Sequence, residues 1–376
     1  MDFDFSPEQK QLKDQVRRYL TDRCDSRAVR VILDGPEPYD RALWRGLGEL
    51  GYLGASIPEA DGGLGLGHLE ACVIGEELGR AVAPVPWDSS IAQVAECLVE
   101  AGTAAQRARW LPRLAAGGAV GALALAEGAG RVDAGLIRCT ARASGDGGAA
   151  LSGVKIAVAD GDVADVAVVA ALDAPGSVSL FLLDLDGPGV VRTSVRTLDP
   201  TRSHATLAFD GAIAERLGAA GAGLAILERV LDRAAVLVAF AQLGGADRAL
   251  ETAVEYAQGR FAFGRPIGSL QAVKHLLADM YVSATLARSN CYWAAWALAT
   301  GSSELPVAAA SARVAATQAY QLCSRDGLQV HGGMGFTWAL DCHLHYRRSN
   351  LLALSLGGPS QWEDRLVGLL RDPVAA

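Results

Sequence analysis

Apolar residues recur along this chain with two periods, and the switches between them mark three segments. In the first, residues 1–118, they return every three to four positions, so that Leu12, Val16 and Leu20 share one helical face. Ser6-Pro7-Glu8-Gln9 ahead of them reads as a helix start: a capping hydroxyl, proline at the first helical position, acid in the first turn. Trp44, Leu47 and Leu50 predict a second helix, which the glycines from Gly51 break. The run DGGLGLG, Asp61–Gly67, has no convincing strand before it and no βαβ continuation. It predicts a glycine-rich loop leading into the helix HLEACVIGEELGRAV rather than a dinucleotide turn.

From 119 to 215 the period shortens. GALALAEG, VADVAVVAAL, SVSLFLLDL and ATLAFDG are short, β-rich strings separated by Gly, Asp and Ser. They predict a small β domain, a barrel or packed sheets, and not a parallel α/β sheet. From 219 to 376 helical spacing returns in three long runs that are apolar round much of their circumference. More than one buried face predicts a helical bundle plus a subunit interface. The expected fold class is α+β, with a helical domain 1–118, a β domain 119–215 and a C-terminal four-helix-bundle domain 219–376.

Composition mainly excludes. A formal charge of −8 argues against nonspecific nucleic-acid binding. No stretch of eighteen residues is free of charge, so no transmembrane helix and no membrane role are expected. The opening MDFDFSPEQKQLKDQV lacks the charged-then-apolar order of a signal peptide, which points to the cytoplasm. The seven cysteines are scattered without a CxxC pair, and His331, His343 and His345 show no ligand spacing, so no metal is expected. There is no G-x-S-x-G string and no Walker loop.

The chemistry-bearing strings lie near the C-terminus. RFAFGRPIGSLQAVKHLLADM, Arg260–Met280, is followed by QVHGGMGF, Gln329–Phe336. Trp44–Ala81 adds a PE-x-x-GG-x-G turn. Together these resemble the acyl-CoA dehydrogenase family over nearly the whole chain, and the α, β, α order agrees with that architecture. The resemblance implies FAD as cofactor, contacted by Arg260, Phe263, Gln271, Gln329, Gly332 and Gly333. In the family these residues reach the adenine and pyrophosphate end of a flavin seated mainly in a neighbouring subunit. The residue types suit such contacts, because a guanidinium is a forked donor for phosphate oxygens and glycines let backbone N–H groups approach an anion.

Elsewhere the chain departs from the family. The usual TEP-x-x-GSD reads Ala126-Glu127-Gly128-Ala129-Gly130-Arg131-Val132-Asp133. In the N-G-x-K-x-W-I-T-N-G string, Gly153, Lys155 and Gly161 persist, but Ala157 replaces the aromatic and Ala159 the threonine. The family's base, a Glu beside the substrate α-carbon, comes from a Y-E-G-T string or from the long helix about seven turns before the Arg. The matching positions are Leu356 and Ala234, and neither offers a carboxylate. Losing a positioned base typically costs about a hundredfold to ten-thousandfold. Glu228, Asp232, Glu363 and Asp364 are poorly placed as substitutes.

No catalytic residue is therefore assigned. The resemblance implies the non-catalytic partner in a heterotetrameric (α2β2) acyl-CoA dehydrogenase, giving FAD contacts to a catalytic subunit. The substrate would be an acyl-CoA thioester, with steroid side chains as one class, and electrons would pass to an electron-transfer flavoprotein or another acceptor. Two alternatives stay open: a self-sufficient homotetrameric dehydrogenase with a displaced base, and a binding or structural homologue without flavin chemistry.

Overall fold

The structure is a computed structural model that describes residues 5–129, 134–144 and 148–371. Its first part is helical: α1 (Pro7–Arg23), α2 (Ser26–Asp34), α3 (Arg41–Glu49) and α4 (His68–Arg80). A stretch follows that is built from α5 (Trp87–Ser89), a π-helical Ser90–Ala95 and α6 (Glu96–Ala101), and then comes α7 (Ala104–Ala115). Seven strands come next: β1 (Gly121–Ala124), β2 (Thr140–Ala143), β3 (Ala149–Ala159), β4 (Val166–Ala174), β5 (Ser177–Asp184), β6 (Val190–Ser194) and β7 (His204–Leu217). The rest is α8 (Gly223–Gly259), the hairpin β8 (Phe261–Ala262) and β9 (Arg265–Pro266), α9 (Gln271–Thr300), α10 (Leu305–Val330), α11 (Cys342–Leu354) and α12 (Pro359–Arg371).

The start of α1 is the one its sequence announces. Ser6 Oγ accepts from the Gln9 amide at 3.2 Å, and Gln9 Oε1 accepts from the Ser6 amide at 2.9 Å, a reciprocal capping box. Two details differ from the periodicity. Helix α2 intervenes before the helix of Trp44, and Leu50 is not on that helix's buried face. It follows the last turn and lies half exposed, while Leu43, Trp44 and Leu47 are buried.

The chain forms two compact units. One comprises Met1–Val31, His68–Ala83 and Ala235–Ala376. Within it α4 and α8 touch backbone to backbone. A Cβ on Gly79 would lie 1.8 Å from the Ala241 carbonyl oxygen, and one on Gly244 equally close to that of Glu76. Lys13 and Arg17 of α1 pair with the buried Glu76 and Glu77 of α4 at 2.6 and 2.7 Å.

The second unit, Ile32–Gly67 and Pro84–Ala234, contains the β domain. Strands β4, β2, β3, β7 and β5 pair in that order, and β5 returns to β4, closing a small barrel. β1 extends it in parallel with β4, and β6 lies antiparallel on β7. Buried Arg202 donates to Asp88 at 2.6 Å and to Asp160 at 2.8 Å inside this unit. Asp160 also accepts from Ser89 Oγ at 2.6 Å, so both carboxylates are engaged, while Arg202 Nε is left buried without a partner among the described residues.

Candidate functional site

Helix α8 ends at Gly259, but the Arg260 amide still bonds the Tyr256 carbonyl at 2.8 Å. The chain then folds back as the β8–β9 hairpin, with Ala262 paired to Arg265. Its two central residues, Phe263 and Gly264, have φ of 54° and 74°, the backbone of a type I′ turn. Glycine adopts this freely, whereas for phenylalanine it costs roughly 1–2 kcal/mol. The side chain recovers none of this by burial in its own chain, since Phe263 is 92% exposed.

The glycine turn after α10 is brought to the same place. His331 packs its ring 4.2 Å from that of Tyr256, one turn before Arg260, and its Nδ1 lies 2.7 Å from the Gly327 carbonyl. Gly332 follows with φ of 59°. Gly268 sits against Ala257, which sets the start of α9, and so Gln271, at this end of α8. Arg260, Gln271, Gln329 and Gly333 are exposed, and Gly332 is half-buried. Among the described residues, the side chains of Arg260, Gln271 and Gln329 have no partner in the chain. Phe261, Met334, Phe336 and Trp338 are also exposed. A free guanidinium, two free amides and an open glycine turn beside aromatic rings can bind an anion attached to a flat ring.

The segment after α11 is held differently. Leu356 takes φ of 60° and Gly357 φ of 103°, and Trp362 Nε1 donates to the Leu356 carbonyl at 3.2 Å. Arg313 of α10, only 1% exposed, donates to the carbonyls of Leu352 and Ser355 and to Gln242 and Thr317. Sequence reasoning missed this residue; its one signal is an arginine inside an alanine-rich run that is otherwise apolar.

Comparisons with known proteins give the family. Residues 6–118 match the model of the acyl-CoA dehydrogenase N-terminal domain, and 221–367 that of its C-terminal domain. Acyl-CoA dehydrogenase IpdE2 of Mycobacterium tuberculosis is 34% identical over 363 residues, which is 96% of each chain. The chain belongs to the acyl-CoA dehydrogenase family. It is also similar to the structure of a variant of the Tcur3481–Tcur3483 steroid ACAD (TM-score 0.88, 34% identity, 97% of this chain and 98% of that one). The ChsE4–ChsE5 complex from Mycobacterium tuberculosis matches with a TM-score of 0.91 and 28% identity, over 100% of both chains. The acyl-CoA dehydrogenase fold and membership of a family of oxidoreductases follow.

Lys155 is fully buried and donates to the Leu125 carbonyl at 3.1 Å and to Glu127 at 2.6 Å. Glu127 in turn accepts from the Arg138 and Cys139 amides at 2.7 and 3.0 Å, pinning that loop. Burial pulls the Lys155 ammonium below its ordinary pKa, against the pull of Glu127. The pairing of β3 with β7 shifts register between Lys155 and Val158. Ala157 lies exposed in this bulge with φ of 51°. Neither Ala157 nor Ala159 has a side-chain donor to offer a flavin ring. Gly130, Arg131, Val132 and Asp133 lie outside the described residues.

The alternative carboxylates are dispersed. Ala234 is fully buried in α8 and Asp232 is buried nearby, whereas Glu228, Glu363 and Asp364 are exposed. Among the described residues, no group of three His, Cys, Asp or Glu could hold a metal, and no helix is long and apolar enough to cross a membrane. Six cysteines are buried and Cys342 is half-buried, all as free thiols.

Proposed function

We propose that this chain is the base-lacking subunit of a heterotetrameric, FAD-dependent acyl-CoA dehydrogenase. Its role is to lend Arg260, Phe263, Gln271, Gln329, Gly332 and Gly333 to an FAD seated in a catalytic partner subunit. The observation that carries this reading is a one-sided distribution of chemistry. The polar groups suited to the cofactor's phosphate end are exposed without partners in their own chain. The two positions that family spacing matches to its base hold Leu356 and Ala234. The proposed domain division is 1–118, 119–215 and 219–376.

The residues present fit the ADP end of FAD and not its ring. Arg260 would pair with phosphate oxygens and the two glutamine amides would hydrogen-bond beside it. Gly332, where an added Cβ would meet nothing within 4 Å, leaves its backbone open to close approach. Bound FAD would supply the hydride acceptor for α,β-desaturation of an acyl-CoA thioester. A proton-accepting carboxylate would come from the partner. Steroid-derived thioesters are the favoured substrate class, on the 34% identity to a steroid ACAD. The final electron acceptor would be an electron-transfer flavoprotein or an equivalent carrier, and the complex would work in the cytoplasm.

The test is to purify this chain alone and together with a base-bearing acyl-CoA dehydrogenase chain from the same genome. Flavin per polypeptide and turnover are then measured for each. The chain alone should be colourless and inactive, and the pair active with one flavin for every two chains. Full flavin occupancy with turnover from this chain alone would overturn the proposal.

A further inference from the structure

A second concave site lies behind the glycine turn, within the unit that holds α1, α4, α8 from Ala235 onward, and α9–α12. It is a cleft of about 610 Å³, within the size range of small-molecule pockets. Leu20, Val29, Val82, Leu340 and Leu344 give it apolar wall. Arg17, Arg80 and Arg248 give it positive charge, and the rings of His331 and His345 line it as well.

The carboxylates around it are already engaged. Glu77 holds Arg17 at 2.7 Å, Asp341 holds Arg30 at 2.6 Å, and Asp25 accepts from the Ala28 amide at 2.9 Å. Arg80 is bound by both oxygens of Glu251. Arg248 is the loosest cation, since its contacts to Glu251 and Glu255 are both 3.4 Å long. Each imidazole spends Nδ1 inside the chain: His331 against the Gly327 carbonyl, and His345 at 3.0 Å from the Tyr320 hydroxyl. Among the described residues, neither Nε2 has a partner. The field at His345 is positive as well as dry. Burial, then Arg248, Arg348 and Arg80, push its pKa down to about 3, with only Asp341 opposing. A ring that stays neutral there, with Nδ1 accepting from Tyr320, presents Nε2–H as a donor.

We propose that this cleft binds a small amphipathic carboxylate, its anion held by Arg248 and His345 and its hydrocarbon body laid on the leucine and valine wall. The site does not depend on the flavin reading, because it lies within one chain and uses none of the six residues assigned to FAD.

Octanoate serves as the probe, octan-1-ol as its neutral counterpart, and calorimetric titration of the purified full chain as the assay. Octanoate should bind saturably, with octanol about tenfold weaker or worse. Arg248→Gln should weaken octanoate by about tenfold, while Arg248→Lys, which keeps the charge, should retain most of the affinity. Thermal melts of both variants establish that they are folded. Absence of saturation by about 10 mM octanoate, equal binding of octanol, or an Arg248→Gln variant that binds like the parent would each overturn the proposal.

Discussion

Replacing Arg260 by alanine separates a structural from a cofactor-binding role. The guanidinium is exposed and has no partner among the described residues, so its removal leaves no buried group unpaired. Surface changes of that kind shift stability by less than about 0.5 kcal/mol. If the same guanidinium holds a phosphate oxygen of FAD, the lost charge-assisted bond is worth about 1.5–3 kcal/mol. That corresponds to a ten- to hundredfold rise in the dissociation constant, in round numbers about tenfold per 1.4 kcal/mol. Arg260→Lys should fall between, because an ammonium keeps the charge and loses the fork. The assay has two arms: urea denaturation of the chain, and fluorescence titration of FAD into the complex with the catalytic chain. The expected result is an unmoved denaturation midpoint with strongly weakened FAD binding. FAD affinity within about threefold of the parent would refute the assignment. So would a loss of stability large enough to account for the weakened binding.

Phe263→Gly removes the cost of a left-handed phenylalanine and should stabilise the isolated chain by about 0.5–1 kcal/mol while weakening FAD binding by the complex; a loss of stability would show that the ring packs in its own chain. Arg313→Met leaves the Ser355 carbonyl without its guanidinium donor and the Leu352 carbonyl with the Ser355 hydroxyl alone, and should cost about 3 kcal/mol, with hydrogen exchange accelerating first at Ser355–Gly357; uniform acceleration would deny Arg313 a specific hold on that turn. His345 gives a pH signature. Its folded pKa of about 3 lies below the ordinary 6.5, so between those values the unfolded chain binds more protons and stability rises with pH. The stability difference between the parent and His345→Phe should therefore grow in the parent's favour from pH 3 to 6.5 and then level off, whereas a constant difference in urea titrations across that interval would exclude the shift.

Much of the architecture was legible because it rests on period and punctuation. The capping box at Ser6 and the strand-length strings from Gly121 to Gly211 each state their local structure in a few residues. The misses have physical causes. Helix α2 has a short and strongly charged sequence, SRAVRVILD, whose periodicity is too brief to stand out. Leu50 lies beyond the helix end, where its spacing from Leu47 no longer defines a face. Strands β4 and β5 form a local hairpin, but closure of the barrel also needs the long-range pairings of β5 with β7 and of β2 with β4, and no local pattern encodes those partners.

The site was legible to a different depth. Arg260, Phe263, Gln329 and Gly332 stand out as a set, but no one of them explains why they meet. That is done by Tyr256 and His331, packed 4.2 Å apart; His331 lies inside the Gln329–Phe336 string, but nothing in that string points to Tyr256 as its partner. Arg313 is similarly silent in sequence, yet it fixes the turn that carries Leu356. A turn so firmly held does not by itself choose between the readings. A buried guanidinium has to be satisfied in any folded chain, and Arg313 meets that need with Gln242, Thr317 and the carbonyls of Leu352 and Ser355 whatever residue 356 does. The groups that do separate the readings are the ones left open at the chain's surface, Arg260, Gln271 and Gln329, because they have a use only when a ligand reaches them from outside. Flavin per chain, measured alone and in complex, is therefore the quantity on which the heteromeric reading rests.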